Sequence, residues 1–273
     1  MAHHHDEMPG TARGQGSGGR AKRHLEAAEK AMNSAPTRSH PESEKALFVR
    51  EMFARIAPRY DLANRMMTAG LDERWRRRAI RLLDPAPRAQ ILDLCCGTGD
   101  LVFGLLRSRP ALDVTGIDFC GPMLDRARAR AAKGGRGQAT FVEGDVMAMP
   151  FDDESFDGAT MGFSLRNVVD IDGTLREIRR VLRPGARFVN LDVSKAPNKR
   201  FKRLFDLYFY GVIPWLGGLV GGSPEAYRYL PSSLTHHPNA PELRDRFTRA
   251  GFAQAGYLSL MGGTIAIHFG RRP

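Results

Sequence analysis

The stretch Gln90-Ile-Leu-Asp-Leu-Cys-Cys-Gly-Thr-Gly-Asp100 decides the fold. Residues 90–94 suit a buried strand, Cys95 to Gly99 form a glycine-rich turn, and an amphipathic helix is expected over 100–107. A glycine loop between a strand and a helix is the setting that a nucleotide-binding turn requires. Gly97 and Gly99 let the backbone turn tightly and approach a ligand that a side chain would block. Outward from this loop the alternation repeats. Strands are expected at 113–118, 139–143, 156–161 and 186–192, with helices at 122–132 and 174–182, the last stopped by Pro184-Gly185. Such alternation means βαβ units and a parallel sheet covered on both faces. A helix at 240–250 then leads into strands at 252–258 and 264–269, whose short Gly-rich link pairs them antiparallel. The expected fold class is therefore α/β: a doubly wound, Rossmann-like, seven-stranded and mostly parallel sheet with an antiparallel C-terminal pair.

Ahead of the sheet, residues 1–44 read as a disordered leader rich in Gly, Ser, Pro and charge. A domain is expected over 45–273, opening with a helical cover at 45–84. There Leu47, Phe48, Met52, Phe53 and Ile56 share one helical face before Pro58, and a second helix is expected at 73–83. With 42% hydrophobic and 26% charged residues among 273, the chain as a whole is neither disordered nor fibrous. Its three cysteines, two of them adjacent, make no disulfide framework, and neither they nor the eight histidines have metal-ligand spacing. No apolar run opens the chain, and the longest uncharged stretch, 207–224, is broken by two prolines and five glycines. The net charge of +11 falls in short arginine bursts, such as 74–78 and Arg126-x-Arg128-x-Arg130, which read as solvated helix faces. RNA and an anionic membrane surface are the alternatives that such charge attracts.

The residues around the loop narrow its ligand. Asp118 ends the next strand 19 residues after Gly99, placed to accept from ribose hydroxyls. Val102 stands where a dinucleotide loop needs its third glycine. Asp93, inside the strand end, would repel a pyrophosphate and attract a ligand's ammonium or sulfonium. That pattern points to S-adenosylmethionine. After the third strand, Asp145 can accept from an adenine amine while the Val146 N–H meets a ring nitrogen. Cys95 and Cys96 read as small loop-packing residues.

Longer motifs then carry a resemblance. Phe53-x-x-Ile-Ala-Pro-x-Tyr60-Asp61-x-x-Asn64, Gly162-Phe-Ser-Leu-Arg166-Asn167-Val-Val-Asp170, Arg180-Val-Leu-Arg-Pro-Gly185 and Tyr227-x-Tyr-Leu-Pro-x-Ser233 follow one another along the chain. With the glycine loop they make it similar to the class I S-adenosylmethionine-dependent methyltransferases, and within them to the quinone C-methyltransferases of ubiquinone and menaquinone biosynthesis. The chain departs from that pattern at Ala63, Cys95-Cys96 and Ser164. The resemblance implies cofactor contacts at Thr98, Asp118, Asp145, Val146 and Gly162, beside Asp93, Gly97 and Gly99 of the loop. It implies a polyprenyl quinol as substrate, with naphthoquinol and benzoquinol rings both open, and peripheral attachment to a membrane from the cytoplasm; whether the chain forms a homodimer stays open.

Carbon methylation of a quinol needs a phenolic proton removed, a partner for the developing phenolate and a dry pocket. Arg166 is expected to stabilise that charge or orient a water, since a guanidinium is no base at neutral pH; a salt-bridged structural arginine is the alternative. Asn167 is expected to hold the substrate oxygen, and Tyr60 and Asp61 to accept the proton. Aromatics crowd 201–215 after the basic cluster Lys199, Arg200, Lys202 and Arg203. Within an insertion at 198–235 they read either as core or as a lid for a polyprenyl tail, with the cluster on anionic head groups. An RNA methyltransferase would carry an Asn-Pro-Pro-Tyr or nucleophilic Cys after the fourth strand, and neither is present, so no nucleic-acid partner is expected. A non-catalytic scaffold is disfavoured by the intact Gly97, Gly99 and Asp118.

Overall fold

Three helices precede the sheet: α1 (Glu44–Ile56), α2 (Tyr60–Thr68) and α3 (Leu71–Leu83). They open a computed structural model that describes residues 44–134, 139–195, 203, 205–212, 229, 233–235 and 237–273. Residues 1–43 of the leader, the basic residues Lys199, Arg200 and Lys202 and most of the 198–235 insertion lie outside the described residues. Alternation then runs β1 (Gln90–Leu94), α4 (Asp100–Ser108), β2 (Asp113–Asp118), α5 (Gly121–Gly134) and β3 (Ala139–Glu143). It continues with β4 (Phe156–Gly162), α6 (Ile171–Val181), β5 (Leu182–Val193), α7 (Ala240–Arg249), β6 (Ala253–Leu260) and β7 (Ile265–Arg271).

The seven strands form one sheet in the order β3-β2-β1-β4-β5-β7-β6. The first five are parallel, and β7 runs antiparallel between β5 and β6. Strand order reverses between β1 and β4, so the carboxyl ends of these two neighbours flank the switch point where open α/β sheets bind ligands. Strand periodicity divides the core. Leu92, Leu94 and Phe188 pack with α6 and α7, whereas Ile91, Val189 and Leu191 pack with α3, α4 and α5 on the opposite face. A third apolar cluster joins Met52, Ile56, Ala63 and Met67 of the leading helices to Cys120 and Met123 at the start of α5. Burying a side chain of this size stabilises by about 1.5–3 kcal/mol, so apolar contact docks this cover on the sheet's carboxyl edge.

Two features differ from those that the sequence pattern predicts. The first helix ends at Ile56, ahead of Pro58 as expected, but Pro58 lies in a short 3-10 turn, Ala57–Arg59, where its missing N–H costs nothing, and an additional helix, α2, follows until left-handed Ala69 and Gly70 end it. Helix α6 stops at Val181, because Leu182 already pairs with Phe156. Pro184-Gly185 therefore lies inside β5, where Gly185, at φ +81°, donates its N–H to the Arg272 carbonyl at 2.8 Å.

Candidate active site

Backbone conformation shapes the loop first. Cys95 (φ +49°), Gly97 (φ +54°) and Gly99 (φ +86°) are all left-handed, and Phe163 (φ +59°) is so at the matching end of β4. Two non-glycine residues held this way at the switch point are strain of the kind that binding sites store. A Cβ at Gly97 would meet nothing within 4 Å, so that glycine serves the turn; one at Gly99 would meet the Phe103 ring at 2.8 Å. The loop is fastened by the Cys96 N–H to the Ile117 carbonyl (3.0 Å) and the Gly97 N–H to Asp118 Oδ2 (2.8 Å).

Asp118 takes a second N–H, from Cys120 at 2.9 Å on Oδ1. Burial pushes its carboxyl up to about 6, while the N–H groups of Cys120, Gly97 and Phe119 pull it back. Asp93 is buried between β1 and β4 and accepts from the Thr160 hydroxyl at 2.7 Å. Burial pushes it further, to about 7. The thiols of Cys95 and Cys96 are driven well above their ordinary range by burial and by the surrounding carboxylates, so they stay protonated and unreactive.

A cavity of about 870 Å³ opens against this loop. Gly97, Asp118, Glu143, Asp145 and Val146 form one wall, Val49, Arg50, Phe53 and Tyr60 of the cover form another, and Ser164, Asn167 and Val168 stand beyond β4. The carboxylates Asp118, Glu143 and Asp145 on the first wall suit a cationic nucleoside and oppose a phosphate. With the left-handed glycine turn, the donor set fits S-adenosylmethionine. Glu143 joins the wall because β2 and β3 are in register, Asp118 opposite Glu143; the adjacency follows from pairing and is not readable from spacing.

Of the residues expected from sequence, Gly97, Asp118, Asp145, Val146, Asn167 and Tyr60 line the cavity. Asp93, Thr98, Gly99, Gly162, Asp61 and Arg166 are not among the residues that line it. Arg166 sits in a 3-10 turn, Leu165–Asn167, with its guanidinium ion-paired to Asp192 of β5 and donating to the Phe163 carbonyl. Its backbone N–H also reaches Asp192, at 3.3 Å. Both side chains are buried, so Arg166 takes the salt-bridged structural arrangement. Asn167 is the residue of this turn that lines the cavity; its Oδ1 is itself buried and has no hydrogen-bond partner among the described residues. Tyr60 packs edge-on against Phe53 and is held above its ordinary range by burial, against the pull of Asn64, Arg76 and Arg166. It is a hydroxyl donor, not a base, near neutral pH. Asp61 Oδ1 accepts from Thr98 Oγ1 at 2.6 Å, and Asp61 Oδ2 pairs with Arg130 at 3.5 Å. That carboxylate is therefore engaged with the loop.

Comparison with known proteins agrees with this geometry. The sequence model of the ubiE/COQ5 methyltransferase family matches residues 39–272. The "Demethylmenaquinone methyltransferase" of Thermus thermophilus is 45% identical, over 81% of this chain and 100% of that protein. The "Ubiquinone/menaquinone biosynthesis C-methyltransferase UbiE" of Bradyrhizobium diazoefficiens is 40% identical, over 86% and 95%. Among solved structures, a SAM-dependent methyltransferase of Thermotoga maritima superposes with TM-score 0.59 at 17% identity, covering 82% of this chain and 100% of that one. Phosphoethanolamine N-methyltransferase 2 of Haemonchus contortus, in complex with S-adenosyl-L-methionine, gives 0.52 at 14% identity, covering 71% and 51%. Matched over nearly its whole described length, the chain belongs to the ubiE/COQ5 methyltransferase family, whose members depend on S-adenosylmethionine.

Proposed function

We propose that this chain methylates a ring carbon of a polyprenyl quinol, converting demethylmenaquinol to menaquinol. The observation that carries the reading is one cavity joining the carboxylate-lined glycine loop to Asn167. The Asn167 amide N–H groups are donors that would hold a phenolic oxygen as it gains charge. The ring assignment draws support from relatives named for demethylmenaquinone, at 45% identity in Thermus thermophilus and 38% in Desulfitobacterium hafniense.

S-adenosylmethionine supplies an electrophilic methyl group on a sulfonium. Asp118 keeps lone pairs free for ribose hydroxyls after accepting from Gly97 and Cys120. Asp145 and the Val146 N–H take the adenine edge, and Thr98, Gly99 and Gly162 support the loop from behind. Asp93 acts on the loop through charge and not by contact. Asn167 receives the quinol oxygen, while the Arg166–Asp192 pair fixes the turn that presents it. Asp61 holds the cover instead of accepting a proton. The phenolic proton would pass to a carboxylate that lines the same cavity, Asp170 or Glu177. Val49, Phe53, Met123 and Val168 keep the ring dry.

A lipid substrate makes peripheral membrane attachment part of the proposal. Among the described residues no helix is long and apolar enough to cross a membrane. Arg203 is exposed, and the single π-helical turn Leu207–Val212 presents Leu207 at 70% exposure and Val212 at 38%, the composition of an interfacial segment. The test is incubation of purified protein with S-adenosylmethionine and either short-tailed demethylmenaquinol or its benzoquinol counterpart, read by mass spectrometry. Methylation of the naphthoquinol is expected; methylation of the benzoquinol alone would overturn the ring assignment, and methylation of neither would overturn the function.

A further inference from the structure

The arginine burst at 126–130 contains a residue, Arg130, whose charge is committed to the glycine loop. Arg130, two turns into α5, points its guanidinium at the glycine loop. Its Nη1 donates to the Thr98 carbonyl at 2.8 Å and to Thr98 Oγ1 at 3.3 Å, and lies 3.5 Å from Asp61 Oδ2. Its Nη2 meets Asp100 Oδ1 at 3.0 Å, and its plane covers the Phe103 ring, 4.8 Å from the centroid. Thr98 closes the ring of contacts by donating to Asp61 at 2.6 Å. One cation thus touches the glycine loop, the first residue of α4 and the cover helix α2, while standing on α5.

Removing it would leave the carboxylates of Asp61 and Asp100 converging on a loop carbonyl with no shared counter-charge. Asp100 would keep only Arg76, at 3.3 Å, which is already paired with Asp72. Apolar burial docks the cover, but burial is non-directional; the planar guanidinium fork is what fixes α2 in register against the loop. The contacts are also reversible. Arg130, Asp61 and Asp100 keep 31%, 27% and 26% side-chain exposure, so water can replace each bond when the cover lifts.

We propose that Arg130 is a positioning residue that couples cover closure to cofactor affinity: it holds the Thr98 turn in its binding shape only while Asp61 of the cover is docked beside it. The proposal rests on the cavity being the S-adenosylmethionine site. Calorimetric titration of the full chain with S-adenosylhomocysteine separates the two ideas, because absence of binding to the parent protein would sink the site reading itself. Given parent binding, Arg130→Leu is expected to raise Kd fivefold or more. Arg130→Lys should recover part of the loss, since it restores charge without the fork. Combining Arg130→Leu with Asp61→Asn should cost less than the two single losses combined, because both break one linkage. Amide exchange in residues 60–68 should slow on ligand binding in the parent protein and respond less in Arg130→Leu. A folded Arg130→Leu with Kd within fivefold of the parent overturns the proposal, as does strict additivity with Asp61→Asn. Should the leucine variant fail to fold, Arg130→Lys paired with Asp61→Asn runs the same cycle: coupled losses support the linkage and additive ones overturn it.

Discussion

Cofactor binding should release protons, and the Asp118 carboxyl sets where. In the free protein burial holds it at about 6 instead of the ordinary 3.8. Ribose hydroxyls donating to it, and a cation nearby, both favour the ionised form and pull the bound-state value down toward 3.8. Sign follows from that. Below pH 6 the free protein carries a proton that the complex does not want, so affinity falls as pH falls. Linkage scales Kd by the ratio of protonated populations, which makes binding about tenfold weaker at pH 5 than at pH 7.5, with most of the change below pH 6. Titration should stop at 7.5, because an α-amino group on the ligand ionises near 7.7–8.0. Asp93, held at about 7 by burial, reports a second proton if the ligand's charge reaches it behind the loop. A limiting slope of one in log Kd against pH means Asp118 alone, and a slope of two means both. Calorimetry in buffers of different ionisation enthalpy counts the released protons directly. Asp118→Asn should bind more weakly at pH 7.5 and lose the first step. Affinity that is flat from pH 5 to 7.5, or proton uptake on binding, would refute the assignment of Asp118 to the ligand.

Asp93→Asn should make the free protein more stable at pH 8 by roughly 1–3 kcal/mol, because asparagine can still accept from Thr160 and never has to ionise in a dry site. With the native carboxyl at about 7 and the unfolded one near 3.8, the gain should vanish toward pH 4 and grow through that window, which thermal melts across pH would follow. Asn167→Ala should lower turnover about a hundredfold, the scale of losing one preorganised partner, with S-adenosylhomocysteine affinity kept within threefold; a parent rate would remove Asn167 from the reaction. Arg166→Met should lower turnover similarly and cost stability as well, since it leaves the buried Asp192 carboxylate without its counter-charge. Replacing Leu207 and Val212 with serine should reduce co-sedimentation with anionic vesicles, and unchanged binding would take this turn out of the membrane contact.

Local chemistry is legible where it is continuous in sequence. The glycine loop, its flanking strand and helix, and Asp118 are all dictated by spacing, and each strand from Gln90 to Glu143 begins and ends where periodicity puts it. Helix α2 is hidden because Pro58 reads as a stop; only the following left-handed Ala69-Gly70 pair reveals that a helix restarts and ends again. Arg166 does lie on the sheet's carboxyl edge, but its neighbour Asp192 arrives from β5 and turns the guanidinium away from the cavity. Arg130 is invisible in the sequence for the same reason. An arginine among arginines on a helix looks solvated until Asp61, Thr98 and Asp100, from three other elements, converge on it. Side chains whose partners lie far along the chain are the ones a linear reading misassigns.

The charge pattern of the cavity also explains why it is covered at all. Methyl transfer from a cation to a phenolate removes both charges, so a medium that solvates ions well stabilises the reactants more than the transition state. On the proposed reading, the carboxylates of Asp118, Glu143 and Asp145 that line the cavity would hold the cationic side, and the neutral Asn167 amide would meet the phenolic side without adding charge. With water excluded by Val49, Phe53 and Val168, the attraction between the two reacting charges rises several-fold over its value in water. The cover is therefore part of the chemistry, and the Lys45 ammonium that reaches the Val168 carbonyl at 2.7 Å is a second tie across the same seam as Arg130. With the Thr98–Asp61 bond, these polar ties add direction to the apolar contact that seats the cover on the sheet's carboxyl edge.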